Sequence, residues 1–488
     1  MRKLVGLFVG MISIFAQAQN FDFSPNCKQA YQSVFKLKTN DGLTFLSSEK
    51  KQNPKNLFPY FIENYVDFFK VYINDNDVQY NQFMSKAEAH LNKLKTGDKS
   101  SPYYLYTQAE IYFQQALIKL KFGKYMSAVF DIKKSNELLE KNKTKFPAFL
   151  PNQKSLGLLH IIFGNIPDNY KFGASLLGLK GSVNLGVQEL KQVLQDENFP
   201  FREEALIEYI LIQLHVEKNK EAAWQWVADM KLPTDDNLLN SFIAASVASY
   251  NGKSDKVLEL LAKRPTGKAF MAVPYLDLLY GTTKLSRLDA DADVYIKSFL
   301  QQNKGRSYQK EANRKLAWFY LVNGKPDLYK KYMQTVLSIK DAPTDEDKAA
   351  QHEAESGYMP NAQLLKARIL NDGAYYDKAL MVLNEIKPEK FTRNKDKIEY
   401  LYRRARIYDD MGKTDNAVSF YLQTIDKGKN LDYYYIANAC IKLGAIFERQ
   451  NKNASAKKYY QMALDMDKDE YENSINAEAK AGLNRIDK

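Results

Sequence analysis

The sequence predicts an all-α protein, a solenoid of stacked antiparallel helical hairpins wound into a right-handed superhelix behind a helical N-terminal region. Apolar residues recur three and four apart along most of the chain, the spacing that lines one face of a helix. Glycine- or asparagine-containing turns divide these stretches into pairs. In the last third, small and aromatic residues return at matching positions in successive pairs, so one unit is repeated.

Residues 1–18 read as a signal peptide: Arg2 and Lys3 form a basic head, Leu4 to Phe15 an apolar run, and Ala16-Gln17-Ala18 a small-x-small cleavage site. The mature chain is expected to start at Gln19, in a periplasm or outside the cell. No cysteine follows the cleavage point closely enough to accept a lipid. No later segment reads as membrane-spanning; the best run, 156–179, is broken by Asn165, Pro167, Asp168, Asn169 and Lys171.

Residues 19–200 form the helical N-terminal region. Phe58, Phe61, Ile62, Tyr65, Phe68, Phe69 and Tyr72 give one helix a wide apolar face, and 78–95 and 101–121 supply two more helices, divided by Gly97 and Ser101-Pro102. Residues 154–190 are apolar and rich in glycine: Gly157, Gly164, Gly173, Gly178, Gly181 and Gly186. Residues 201–340 hold degenerate hairpins, with Ala222 at a close contact, Ala245, Ala248 and the Asn251-Gly252 turn in the next, and Leu316, Ala317, Tyr320 and Asn323-Gly324 in a third, where Tyr329 takes the place of a small residue. Ala128 is the matching contact in the N-terminal region. Residues 341–360 are acidic and read as a charged helix in a long connection with a solvated face.

Residues 361–488 carry the clearest repeats. In the last, Leu443, Gly444 and Phe447 fall on a first helix and Ala456, Tyr460 and Ala463 on a second, with Gly444 and Ala456 small where the helices close up. Ala405, Tyr408, Ala417 and Tyr421 align one unit back, with Gly412 ending a helix and Arg404 where Leu is expected. Ala367 and Ala379 align in the unit before that, with a turn at Asn371-Asp372-Gly373. This Leu-Gly-x-x-aromatic, Ala-x-x-x-Tyr pattern resembles the tetratricopeptide repeat, and the whole chain resembles exported bacterial proteins built from it. Residues 154–190 resemble the corresponding region of a eukaryotic tetratricopeptide family linked to inclusion-body clearance. The resemblances imply a protein-binding scaffold or adaptor, with no catalytic role.

The chain carries 70 Lys and Arg against 58 Asp and Glu, a net charge of +12. The basic residues are interspersed with acids, which argues against nucleic acid and is compatible with peripheral association with the envelope. Two cysteines in the whole chain exclude a disulfide framework, and Cys440 falls at a helix-packing position. Asp289-x-Asp291-x-Asp293 lacks the Gly and Glu of a calcium loop, having Val294 and Leu300 there, and reads as helix-capping charge. His90, His160, His215 and His352 are scattered, Gly178-x-x-Gly181 lacks the Gly-Lys of a phosphate loop, and Ser47-x-x-Lys50 and Ser175 stand outside any nucleophile motif. No catalytic residue, metal ligand or cofactor is expected. The function expected is recruitment of protein partners on the concave face of the solenoid, with exposed tyrosines as anchors. The alternative is a carrier holding an apolar ligand or lipid in a pocket formed by Leu159, Ile162, Phe163 and Leu176.

Overall fold

The computed structural model describes residues 20–166, 178–229, 232–468 and 470–486. The signal peptide, the Gln19 start and Leu176 lie outside the described residues. The described chain is helical, with one isolated parallel bridge between Asn20 and Asn56. It divides into two compact units, one of residues 1–243 and 264–272 and the other of residues 244–263 and 273–488.

The first unit contains α1 (Pro25–Phe35), α2 (Thr39–Gln52), α3 (Phe58–Asn74), α4 (Asp77–Leu94), α5 (Tyr103–Lys121), α6 (Tyr125–Lys145), α7 (Leu150–Gly164), α8 (Val183–Gln195), α9 (Arg202–His215) and α10 (Lys220–Asp229). Helix α11 (Leu238–Tyr250) runs from the first unit into the second. The second continues with α12 (Ser254–Ala262), α13 (Tyr275–Arg287), α14 (Ala292–Gln302), α15 (Gln309–Val322), α16 (Pro326–Ser338), α17 (Asp345–Glu355), α18 (Ala362–Asp372), α19 (Tyr376–Asn384), α20 (Asn394–Asp410), α21 (Thr414–Gly428), α22 (Tyr434–Arg449), α23 (Asn453–Asp465) and α24 (Glu472–Ile486). Each odd-numbered helix up to α15 begins a hairpin; α17 stands alone, and pairing resumes at α18–α19.

One turn geometry ties the hairpins to a common unit. In eight hairpins a residue in the left-handed region closes the first helix, and five residues later a buried residue on the second helix meets its partner. The couples are Leu37 with Gly42, Gly123 with Ala128, Lys218 with Ala223, Gly252 with Val257, Gly324 with Tyr329, Ala374 with Ala379, Gly412 with Ala417 and Asn451 with Ala456. The residue after most of these turns donates its N–H to the carbonyl five residues back, as Lys413 does to Tyr408 and Lys452 to Phe447, which satisfies an otherwise open helix end. Ala374, not Gly373, is the left-handed residue of its turn, and Ala223, not Ala222, is the buried contact. The repeat begins at α1, far upstream of where apolar spacing alone made it legible.

Gly157, Gly164, Gly181 and Gly186 form a seam where α7 meets α8 and the residues just before it. A Cβ on Gly186 would lie 2.2 Å from the carbonyl oxygen of Gly157, and one on Gly181 would lie 2.6 Å from the Cα of His160. His160 Nδ1 meets Glu189 Oε2 across this seam at 2.6 Å. Leu159 and Phe163 are buried within the insert and Ile162 is half-buried.

First helices of the first unit contribute to one buried polar network. Lys154 on α7, fully buried, lies 3.3 Å from Glu110 on α5, and 3.1 and 3.7 Å from Glu204 and Glu208 on α9. Tyr31 on α1 and Tyr65 on α3 donate to Glu204 at 2.7 and 2.8 Å. Burial raises the pKa of Glu204 and of Glu208, against the pull of Lys154. Burial acts to lower the Lys154 pKa, but the surrounding carboxylates outweigh it and hold the group well above its ordinary value.

The acidic stretch 341–360 contains the expected charged helix, α17, but one side of that helix packs into the core where a solvated face was expected. Ala350 and Ala354 of α17 enter the core with Leu316 and Trp318. Asp347 is fully buried; its carboxylate accepts the N–H groups of Tyr308, Lys310 and Glu311 at 2.7, 2.9 and 3.1 Å, capping α15 from a different helix. Asp291 and Asp293 fall at the N-cap position and in the first turn of α14, where negative charge was expected, but without a capping bond. Asp289, Asp291 and Asp293 pair with Arg287, Lys284 and Lys297.

Candidate binding cleft

The second unit places polar and aromatic side chains of its first helices along one cleft. Helix periodicity explains why: the face of each first helix opposite its hairpin partner carries residues three or four apart, such as Arg314 and Trp318 on α15 and Glu399 and Arg403 on α20. The cleft is lined by Glu353 and Ser356, by Tyr358 and Pro360 from the segment after α17, by Leu365 and Arg368 of α18, by Lys395 and Glu399 of α20, by Tyr434 and Tyr435 of α22, and by Glu470 and Tyr471 before α24. Its enclosed volume is about 40 Å³. That admits the tip of one side chain or a few waters, well short of the several hundred Å³ of a small-molecule site.

Trp318 forms the floor beneath a group of cations. The Arg314 and Arg368 guanidiniums sit 4.9 and 4.5 Å from its ring and the Lys315 ammonium 4.1 Å from it. The indole N–H donates to Glu353 Oε1 at 2.6 Å. Arg314 is committed to Glu311 at 2.5 Å, and burial lowers the Lys315 pKa with Glu311 opposing. Arg368 is different. Its nearest carboxylate is Asp372 at 3.9 Å, and its guanidinium makes no hydrogen bond among the described residues.

The opposite wall is complementary. Glu399 Oε1 accepts from Arg403 Nε and Nη2 at 3.0 and 2.8 Å, whereas Glu399 Oε2 is buried without a donor among the described residues. Tyr434 packs on Tyr435 at 4.2 Å and on Tyr471 at 5.0 Å between ring centres. Burial raises the pKa of all three phenols, so they act as neutral hydroxyls. Lys395 bridges to Glu470 at 2.9 Å with its ammonium 4.8 Å from the Tyr358 ring. The cleft thus gathers the Arg368 guanidinium, 3.9 Å from Asp372 and without a hydrogen bond among the described residues, and the Glu399–Arg403 pair between aromatic walls, an arrangement suited to recognition.

The repeat residues lie behind this cleft, between helices. Leu443, Gly444, Ala456, Tyr460 and Ala463 are buried, as are Ala405, Ala417, Tyr421, Ala367 and Ala379. Phe447 and Tyr408 are half-buried and make equivalent stacks in adjacent units, on Tyr459 at 5.6 Å and on Phe420 at 5.7 Å. Gly444 is small for the Tyr460 ring, not for a helix backbone: a Cβ there would lie 2.7 Å from that ring, and one on Gly482 of α24 would lie 2.4 Å from it. Arg404, at the expected Leu position, reaches out to Tyr400 and Asn384. Cys27 and Cys440 are free and buried, each thiol pushed up to about 12 by desolvation. Among the described residues no cluster of three or more metal-ligating side chains forms, and no helix is long and apolar enough to cross a membrane. Sequence reasoning did not single out Trp318, Arg368, Arg403 or Glu399, which look like ordinary helix-surface residues until several helices are brought together.

The tetratricopeptide-repeat family model matches residues 398–426 and 437–470, so the units at α20–α21 and α22–α23 are tetratricopeptide repeats. No curated protein matches the chain. Solved structures with similarity include a monomeric IFIT1 mutant with Gppp-AAAA (14% identity, 80% of this chain and 86% of that one, TM-score 0.29). Others are the anaphase-promoting-complex hetero-tetramer Cut9–Hcn1 (12%, 94% and 95%, 0.26) and Naa15/Naa10 bound to HypK-THB (15%, 95% and 66%, 0.25).

Proposed function

We propose that this chain is a non-catalytic scaffold of the cell envelope that recruits a protein partner through the first-helix face of its second unit, the concave face of the repeat array. The observation that carries the reading is Arg368: a guanidinium stacked on Trp318, facing a cleft and making no hydrogen bond within the described protein. A protein segment bringing a carboxylate to Arg368 gives that guanidinium a hydrogen-bonding partner, while the tyrosine wall covers the segment's apolar parts. The small enclosed volume favours a protruding side chain of a larger partner over an engulfed ligand. Export rests on the basic head, apolar run and Ala16-Gln17-Ala18 site.

Capture from envelope extracts, compared between the native chain and Arg368→Glu, tests the reading. A partner protein should co-purify stoichiometrically with the native chain and be lost from the variant, whose melting curve stays close to native. Equal recovery of every protein by both chains contradicts it. N-terminal sequencing of the exported protein should begin at Gln19; a full-length product overturns the export assignment.

A further inference from the structure

Helix α6 exposes an unusual face. Tyr125, Met126 and Phe130 are 66, 75 and 66% exposed in its first two turns, although side chains of this kind are ordinarily covered. The neighbouring α3–α4 turn extends the patch with Tyr72 and Val78. The two turns are in contact: Tyr80 packs on Phe122 at 4.8 Å between ring centres, and the Lys121 and Lys124 ammoniums lie 4.8 and 5.2 Å from the Tyr72 and Tyr80 rings.

Charge follows the same face. The stretch 119–145 contains eight lysines and three acidic residues. Lys119 is paired internally with Asp131 at 2.5 Å, and Glu137 is 4.0 and 3.7 Å from Lys133 and Lys134. Met126, Phe130, Lys134, Glu137 and Lys141 follow one another three or four residues apart, so they form a single exposed stripe. Its N-terminal end is apolar and its C-terminal part basic.

We infer that α6 docks this stripe on an anionic lipid surface, with Tyr125, Met126 and Phe130 entering the headgroup layer and the lysines contacting its charge. The occupant follows from the layout. Apolar tips protrude at the ends of two adjacent hairpins without an enclosing groove, and the excess charge is positive. Each tyrosine of the α3–α4 turn has an ammonium beside its ring, an apolar body with a wet, charged rim. Protein interfaces instead concentrate aromatics in a packed centre depleted of lysine. A lipid surface also complements the recruitment reading without depending on it, because α6 belongs to the first unit and the cleft to the second.

Vesicle flotation of the full chain tests the inference, using phosphatidylcholine vesicles with and without about 30% phosphatidylglycerol. The native chain should float with the anionic vesicles and remain below the zwitterionic ones. Binding should fall on the order of a hundredfold in Met126→Glu/Phe130→Glu. It should fall about tenfold or more in Lys134→Gln/Lys141→Gln, whose exposed sites leave the fold intact. No flotation with anionic vesicles overturns the inference. So does equal flotation of the Met126/Phe130 variant, which assigns the binding to another part of the chain. Self-association abolished by the same substitutions, without lipid binding, identifies a second copy as the occupant and overturns it as well.

Discussion

Lys154 shows how single residues can carry a unit's electrostatics. It is fully buried and within reach of Glu110, Glu204 and Glu208. Lys154→Met strands those carboxylates and is expected to cost ~3–5 kcal/mol, read as a lower urea midpoint for the first unit. Glu208→Gln should be neutral or stabilising at neutral pH, since it removes a charge that burial already disfavours. The pH dependence has a defined sign. Carboxyls whose folded pKa lies above the ordinary 4.5 bind more protons folded than unfolded. Their contribution to stability is therefore largest below that value and is lost as pH rises through the folded pKa. Native and Glu208→Gln chains compared from about pH 5 to pH 8 should show the native chain losing more stability with rising pH; parallel curves contradict the assignment. Sequence inspection misses this network because its contacts join residues 44 to 173 positions apart, which meet only when successive hairpins stack. Gly444, Ala456 and Tyr460 were legible because a repeated local spacing marks them. Ala456→Leu, at a position with no free surface, is expected to cost ~1–3 kcal/mol by overpacking, and an unchanged melting midpoint would contradict that contact.

Among the elements, α17 departs furthest from its sequence. A stretch with Asp341, Asp345, Glu346, Asp347, Glu353 and Glu355 suggests a solvated face. The structure divides those acids between surface and interior: Asp345 is exposed, while Asp347 is fully buried as the cap of α15. Composition cannot make that distinction, because the open N–H groups it serves belong to a helix starting at Gln309. Asp347→Ala should destabilise the chain by about 1–3 kcal/mol, whereas Asp345→Ala should change it by less than about 0.5 kcal/mol. Matching losses in thermal melts of the two variants would contradict the capping role. The hairpin turns give the converse lesson. Gly252, Gly324 and Gly412 announce the left-handed position, but Leu37, Lys218, Ala374 and Asn451 adopt the same conformation without glycine, so the turn residue alone does not mark a hairpin.

At the scale of the whole molecule, the all-helical class and repeating hairpins were readable from apolar spacing and turns. The sites were not, because they arise where first helices from several units share a face. In the first unit that face is closed over a charged network. In the second it remains open at a cleft where the Arg368 guanidinium, 3.9 Å from Asp372, makes no hydrogen bond among the described residues. The central claim is that a protein partner fills this opening. Its most direct test is photo-crosslinking in living cells from a benzophenone residue replacing Tyr471, on the cleft wall, with position 381, exposed on α19, as control. The expected result is a discrete crosslinked protein at position 471, absent at 381 and lost when Arg368→Glu is added. Identical products at both positions, or a cleft-specific adduct carrying only a small molecule, would contradict recruitment through the cleft.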